Sequence, residues 1–174
     1  MRFTRAEWSD LEAIGDLYDA LCEHLSAHGN GPGWRKGVYP TVEDARAGIE
    51  DGALYVLKEH GAVVGAMTLR HRPEAGYAKV RWLTEDDYDH IYVIYTLAVH
   101  PDFLKRGMGA MLLEQAERLA RAEGCRSLRL DVARGNVPAE NLYRKCGFQC
   151  VGTADLGYAA YGLPWFNLYE KVLK

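Results

Sequence analysis

The chain has 174 residues, 48% of them hydrophobic and 26% charged, with a formal charge of −3 and an isoelectric point near 6.1. That length fits one domain, residues 1–174, able to bury a core without metal or disulfide staples, and the acidic balance argues against a dedicated nucleic-acid binder, which is normally basic. No apolar run is long enough to span a membrane, and Met1-Arg2-Phe3-Thr4-Arg5 lacks the apolar stretch of a secretion signal.

The elements follow in chain order. Residues 2–5 suit a short edge strand. Ser9-Asp10-Leu11-Glu12 has the pattern of a capping box, and Leu11, Ile14, Leu17, Tyr18, Leu21, Cys22 and Leu25 recur at helical spacing, which predicts a helix ending near His28-Gly29. Residues 29–40 form a loop by their Gly and Pro content, unusual in carrying Trp34 and Tyr39. Thr41-Val42-Glu43-Asp44 starts a second, short helix reaching about Asp51. Residues 53–58 and 63–70 read as a hairpin through Glu59-His60-Gly61. A polar, irregular stretch, 71–89, precedes a buried strand at 90–99, rich in Ile, Tyr and Val. Residues 107–123 form a strong helix closed by Gly124. A strand at 127–132, a short helix at 138–146 with Pro138 early in it, and strands at 148–156 and 165–172 complete the chain. The order β-α-α-β-β-β-α-β-α-β-β predicts an α/β (α+β) fold with one mixed sheet covered by about four helices.

Cys22, Cys125, Cys146 and Cys150 include no CxxC pair. They read as reduced, half-buried thiols of a cytoplasmic protein rather than a disulfide framework. His24 and His28 stand at i, i+4, a spacing that can hold a metal, but no third ligand accompanies them, so no metal site is expected. Glu85, Asp86, Asp87 and Asp89 form an acidic run, most simply a wet surface.

One stretch points to chemistry. The buried strand ending at Leu97-Ala98-Val99 is followed by Pro101, then Lys105-Arg106-Gly107-Met108-Gly109-Ala110 and a long helix. Glycines allow close backbone approach to a phosphate, and the amides and dipole of a helix N-terminus favour an anion. Lys105 and Arg106 add charge at that place. The pair Gly107-x-Gly109 by itself also suits a tight turn with no ligand. It is not a P-loop, because no Gly-Lys-Ser/Thr follows, and Leu112 stands where a dinucleotide fingerprint has its third glycine.

Downstream lies Asn136-Val137-Pro138-Ala139-Glu140-Asn141-Leu142-Tyr143-Arg144-Lys145-Cys146-Gly147-Phe148. The two segments together resemble the motifs of the GNAT superfamily, the Gcn5-related N-acetyltransferases, and the order of elements over nearly the whole chain is similar to that fold. The resemblance implies a mostly antiparallel central sheet splayed in the middle, with acetyl-CoA as co-substrate. Its pyrophosphate would lie on the Gly107 turn, and its pantetheine between two strands near 97–99 and 127–132. Where the family often carries Gln or Arg, three residues before the first motif glycine, this chain has Leu104.

By the same resemblance Tyr143 is the general acid for the departing thiolate, a phenol being protonated at neutral pH. Asn136 bonds the pantetheine arm or caps the following helix, and Ala139 and Leu142 line the cofactor. A backbone amide at Leu97 or Ala98 meets the oxyanion. In acetyltransferases resembling the ribosomal-protein N-terminal type a carboxylate at the position of Asp131 serves as base. Here Asp131 acts as base or fixes a neighbouring loop. Tyr92, Tyr95 and His90, through water, are further candidates, and no base is needed if the amine binds neutral. The acceptor site is expected among Trp34, Tyr39, Trp82, Tyr95 and Tyr161, with Lys36, Tyr158 and Trp165 nearby, since aromatic faces suit a cation. The implied activity is transfer of acetyl to a primary amine, of a small molecule or a peptide or protein N-terminus, by an enzyme with an optional homodimer partner. A non-catalytic acyl-CoA sensor is the alternative, and Tyr143 favours the enzyme.

Overall fold

In the computed structural model, which describes residues 1–173, the helices and strands follow the order read from the sequence. They are β1 (Arg2–Arg5), α1 (Leu11–His28), α2 (Val42–Glu50), β2 (Leu54–Glu59), β3 (Ala62–Arg70), β4 (Ile91–Val99), α3 (Met108–Ala122), β5 (Ser127–Ala133), α4 (Val137–Lys145), β6 (Gln149–Ala154) and β7 (Phe166–Val172). The strand order is β1-β2-β3-β4-β5-β7-β6 in a seven-stranded sheet. The β1–β2, β2–β3, β5–β7 and β6–β7 ladders are antiparallel, and β4–β5 is parallel.

The chain forms two compact units. The first comprises Met1–Asn30, Trp34–Leu69 and Thr96–Gln115; the second comprises Gly31–Gly33, Arg70–Tyr95 and the chain from Ala116 onward. In the first, α1 buries the stripe Ile14, Leu17, Tyr18 and Leu21 against Ala45 and Ile49 of α2 and Leu54 and Val56 of β2. Each of these larger apolar side chains contributes about 1.5–3 kcal/mol by leaving water. Thr41 caps α2 as its sequence predicts: Asp44 Oδ2 accepts from Thr41 N at 2.7 Å, and Thr41 Oγ1 accepts from Asp44 N at 3.4 Å.

The start of α1 differs from expectation. Ser9 is no cap; Trp8–Asp10 form a 3₁₀ turn, and the box is made by Glu7 and Asp10. The reason is the burial of Asp10, 6% exposed. Its carboxylate must be partnered, and it takes Glu7 N at 3.0 Å and Lys58 Nζ at 2.6 Å.

In the second unit β5 pairs with β7 from Ser127↔Val172 to Ala133↔Phe166, and β7 pairs with β6. Tyr77, Val93, Ala133, Ala154, Phe166 and Leu168 form its core cluster. The stretch 71–89, expected as an irregular loop, contains 3₁₀ turns at Ala75–Lys79 and Tyr88–His90. A buried ion pair holds it down. Arg129 of β5 and Glu170 of β7, 3% and 0% exposed, meet at 3.1 Å. Glu170 also accepts from Leu83 N at 2.5 Å and Thr84 Oγ1 at 2.6 Å. The Arg129 guanidinium lies 4.3 Å from the Trp82 ring and 5.1 Å from Tyr88. Charges this deep persist only when paired and bonded on all sides.

The cysteines are all free, but they are not uniformly half-buried: Cys22 and Cys125 are buried and Cys150 is exposed. Among the described residues no helix is long and apolar enough to cross a membrane. His24 and His28 stack at 4.3 Å, with His28 Nδ1 2.9 Å from the His24 carbonyl.

Candidate active site

The first unit carries the turn singled out in the sequence. The parallel β4–β5 ladder runs from Ile91↔Ser127 to Ile94↔Leu130 and stops there, while β4 continues to Val99. Thr96, just past that point, has φ +47°. A β-branched residue in the left-handed region is strained by on the order of 1–3 kcal/mol. Its hydroxyl is hydrogen-bonded to that of Tyr39. The ladder to β5 has therefore ended before Leu97, Ala98 and Val99, while β4 itself continues through them.

A 3₁₀ turn, Pro101–Phe103, follows. Lys105 and Gly107 then take φ +60° and +80° before α3 begins at Met108. The first helical bond of α3 is from Met111 N to Gly107 O, 3.0 Å. The amides of Met108, Gly109 and Ala110 therefore precede the helix ladder and are open to an acceptor. A Cβ placed on Gly107 would meet nothing within 4 Å. Lys105, Arg106 and Gly107 are exposed, and the Arg106 guanidinium rests 5.2 Å from the Phe103 ring. Free amides, two cations and open space fit a pyrophosphate.

The second unit carries the groups of acid–base type. Tyr143, 9% exposed, stands on α4 with its ring edge-on to Phe148 at 6.0 Å and tilted on Tyr169 at 6.1 Å. Its hydroxyl makes no hydrogen bond among the described residues and is not sealed from solvent. Burial, then the charge of Asp131, raises its pKa above the ordinary phenol value, so the phenol stays protonated. Glu140, one turn earlier, docks α4 onto β7: it accepts from Asn167 Nδ2 at 3.1 Å and Tyr169 Oη at 3.3 Å, and from Arg144 at 2.8 Å. Asn136 stands at the N-cap of α4, but its side chain makes no capping bond. A Cβ on Gly31 would lie 2.7 Å from Asn136 Oδ1, so only glycine lets that segment pass so close.

Asp131 of β5 is part-buried. Tyr77 Oη donates to its Oδ2 at 2.7 Å, and Oδ1 has no partner among the described residues. Its pKa is raised to about 6, by burial first, opposed by the Tyr77 bond and assisted by the charge of Glu74. Tyr77 is 1% exposed, and it was missed in the sequence. No local pattern links it to a carboxylate 54 positions away.

The aromatic residues expected at an acceptor site have varied surroundings. Trp34 lines an open cleft of about 470 Å³ with Cys22, Glu23, Ser26, Asn30 and Lys36, and Tyr39 meets it edge-on at 6.1 Å. Trp82 packs on Tyr77 at 5.0 Å and donates to its carbonyl at 2.9 Å. Tyr95 donates to the Arg72 carbonyl at 2.6 Å. Tyr161 is 59% exposed, 6.5 Å from Tyr158.

The model of the acetyltransferase (GNAT) family matches residues 16–148. The chain belongs to that family. Its members are acetyl-CoA-dependent acyltransferases, and this chain is one of them. It is 26% identical over 168 residues to the uncharacterized N-acetyltransferase YesJ of Bacillus subtilis (strain 168), covering 95% of this chain and 87% of that one. A GNAT-family acetyltransferase structure from Streptococcus agalactiae superposes with a TM-score of 0.84 at 19% identity, covering 99% of this chain and 95% of that one. The structure of yncA from Salmonella typhimurium with its cofactor acetyl-CoA gives 0.71 at 19%, covering 100% and 94%. The shared fold is the mixed, mostly antiparallel sheet with four helices.

Proposed function

We propose that this acetyltransferase moves the acetyl group of acetyl-CoA to a primary amine, of a small molecule or a peptide or protein N-terminus, by direct attack, and that residues 1–174 act as one catalytic domain. Acetyl-CoA supplies an activated acetyl thioester. Lys105, Arg106 and the amides of Met108, Gly109 and Ala110 take the pyrophosphate at the Gly107 turn. The backbone of Leu97, Ala98 and Val99 takes the pantetheine arm, as do Asn136, Ala139 and Leu142. Asp131 Oδ1 receives a proton from the amine as the N–C bond forms, when that nitrogen becomes strongly acidic. The Tyr143 hydroxyl gives a proton to sulfur as the C–S bond breaks. Trp34, Tyr39, Trp82, Tyr95 and Tyr161 are the proposed acceptor-side residues.

The observation that carries the reading is an oxygen of Asp131 left without a partner, on a carboxylate whose pKa is raised to about 6. A carboxylate in that range is ionised at neutral pH and yet accepts a proton more readily than an ordinary aspartate. A screen of amines and peptide N-termini with acetyl-CoA, read as free thiol, identifies the acceptor. On that acceptor kcat/KM falls below about pH 6, because protonation removes the base. Asp131→Asn lowers turnover by about 10²-fold or more and removes that limb. Near-normal turnover with the limb intact makes Asp131 a structural residue.

A further inference from the structure

Arg129 and Asp131 stand two residues apart on β5, so both side chains leave the same face of the sheet. The segment 74–90 grips both. Its grip on Arg129 is made by the half-buried Thr84, Trp82 and Tyr88, beside the buried Glu170 of β7. Its grip on Asp131 is a single bond, Tyr77 Oη to Oδ2 at 2.7 Å. The two are joined through Trp82, which stacks beneath Arg129 and donates Nε1 to the Tyr77 carbonyl at 2.9 Å. The other side of the Tyr77 turn is fixed by Gly76. A Cβ there would lie 2.4 Å from Leu156 Cδ2 and 2.9 Å from the Asp155 carbonyl, so any larger residue pushes the turn away.

We infer that Tyr77 is a positioning residue for acetyl transfer: its buried hydroxyl occupies Oδ2 of Asp131, fixes the carboxylate plane and leaves Oδ1 as the single proton-accepting atom. This rests on the assignment of Asp131 as base. A hydroxyl donating to a carboxylate favours the ionised form, so Tyr77 keeps the base available where burial and Glu74 work against it. The other ionisable groups whose charge interacts with Asp131 are phenols: Tyr95 of β4, Tyr143 of α4 and Tyr158 beyond β6. All carry raised pKa values and stay neutral near pH 6. Glu74 is the one carboxylate among these groups, and Tyr77 the one donor to Asp131 among the described residues.

The test is the pH dependence of kcat/KM in Tyr77→Phe, run beside Asp131→Asn. In Tyr77→Phe the acid limb moves up by about one pH unit, since a donor to an ionised group shifts its titration by about that much. KM for acetyl-CoA is unchanged, and the alkaline plateau falls only a few-fold. A limb that stays in place in Tyr77→Phe, while Asp131→Asn abolishes it, overturns the positioning role and leaves the base standing. A limb that survives in Asp131→Asn removes the base itself, and the inference with it. Should the Phe variant not hold its fold, 3-fluorotyrosine placed at position 77 keeps the hydroxyl and makes it a stronger donor. The limb then moves down, and an unmoved limb overturns the inference.

Discussion

Tyr143 is held by its ring and left open at its hydroxyl: Phe148 and Tyr169 pack the one, and nothing among the described residues bonds the other. Tyr143→Phe therefore keeps the packing and removes only the hydroxyl. Turnover is expected to drop by about 10²-fold, the lower end for a lost general acid, with little change in KM for acetyl-CoA. A wild-type rate in steps shown to be limited by chemistry makes Tyr143 a packing residue. Asp131 carries an opposite tension. Its folded pKa, raised to about 6 from 3.8, means the native state binds a proton more tightly than the unfolded chain. Its contribution to stability is therefore greatest below about pH 4 and declines as pH rises through 6. Asp131→Asn, which is never charged, is expected to be more stable than the parent at pH 8 by about 1–2 kcal/mol, and to lose that advantage at pH 4. Urea unfolding at the two pH values checks the sign; equal differences at both mean that Asp131 titrates normally.

At the scale of elements, two buried carboxylates fasten α4 and the 82–88 stretch of the second unit. Glu140 ties α4 to β7, and Glu170 ties the 82–88 stretch to β5 and β7. Removing one partner of a buried pair strands the other. Glu170→Ala is expected to cost about 3–5 kcal/mol in urea unfolding and to open residues 82–88 to proteolysis. The double change Arg129→Met with Glu170→Leu removes both charges, and its cost is smaller than the sum of the single changes. Additivity of the two would mean the pair is uncoupled. Gly76→Val belongs to the same scale, since it displaces the turn that carries Tyr77. It should reproduce the shifted acid limb of Tyr77→Phe.

For the molecule as a whole the simplest readout is thermal. A ligand that binds only the native state stabilises it by about 2.7 kcal/mol at a hundred-fold excess over Kd. For a chain of this size that is a rise in Tm of roughly 5–10 °C. Gly107→Glu puts a carboxylate where the phosphates belong, and at φ +80° it adds strain. The rise with acetyl-CoA should vanish in that variant. An undiminished rise places the phosphate contacts elsewhere than the Gly107 turn.

Much of this was legible in the residues. Apolar spacing set α1 and α3 because a helix buries every third or fourth position. Glycine marked the ends of both, and Asn136 to Phe148 carried the family resemblance. Local chemistry misled at Ser9, where the burial of Asp10 and its pairing with Lys58 moved the cap upstream. The stretch 71–89 looked irregular because its order comes from Arg129 and Glu170, distant in sequence and hidden from any local pattern. The bond from Tyr77 to Asp131 and the left-handed Thr96 were likewise decided in three dimensions. A sequence shows what each segment prefers alone. Which donor a buried carboxylate meets is fixed only when strands and turns from separate parts of the chain are packed, and that choice sets which oxygen of Asp131 is left without a partner.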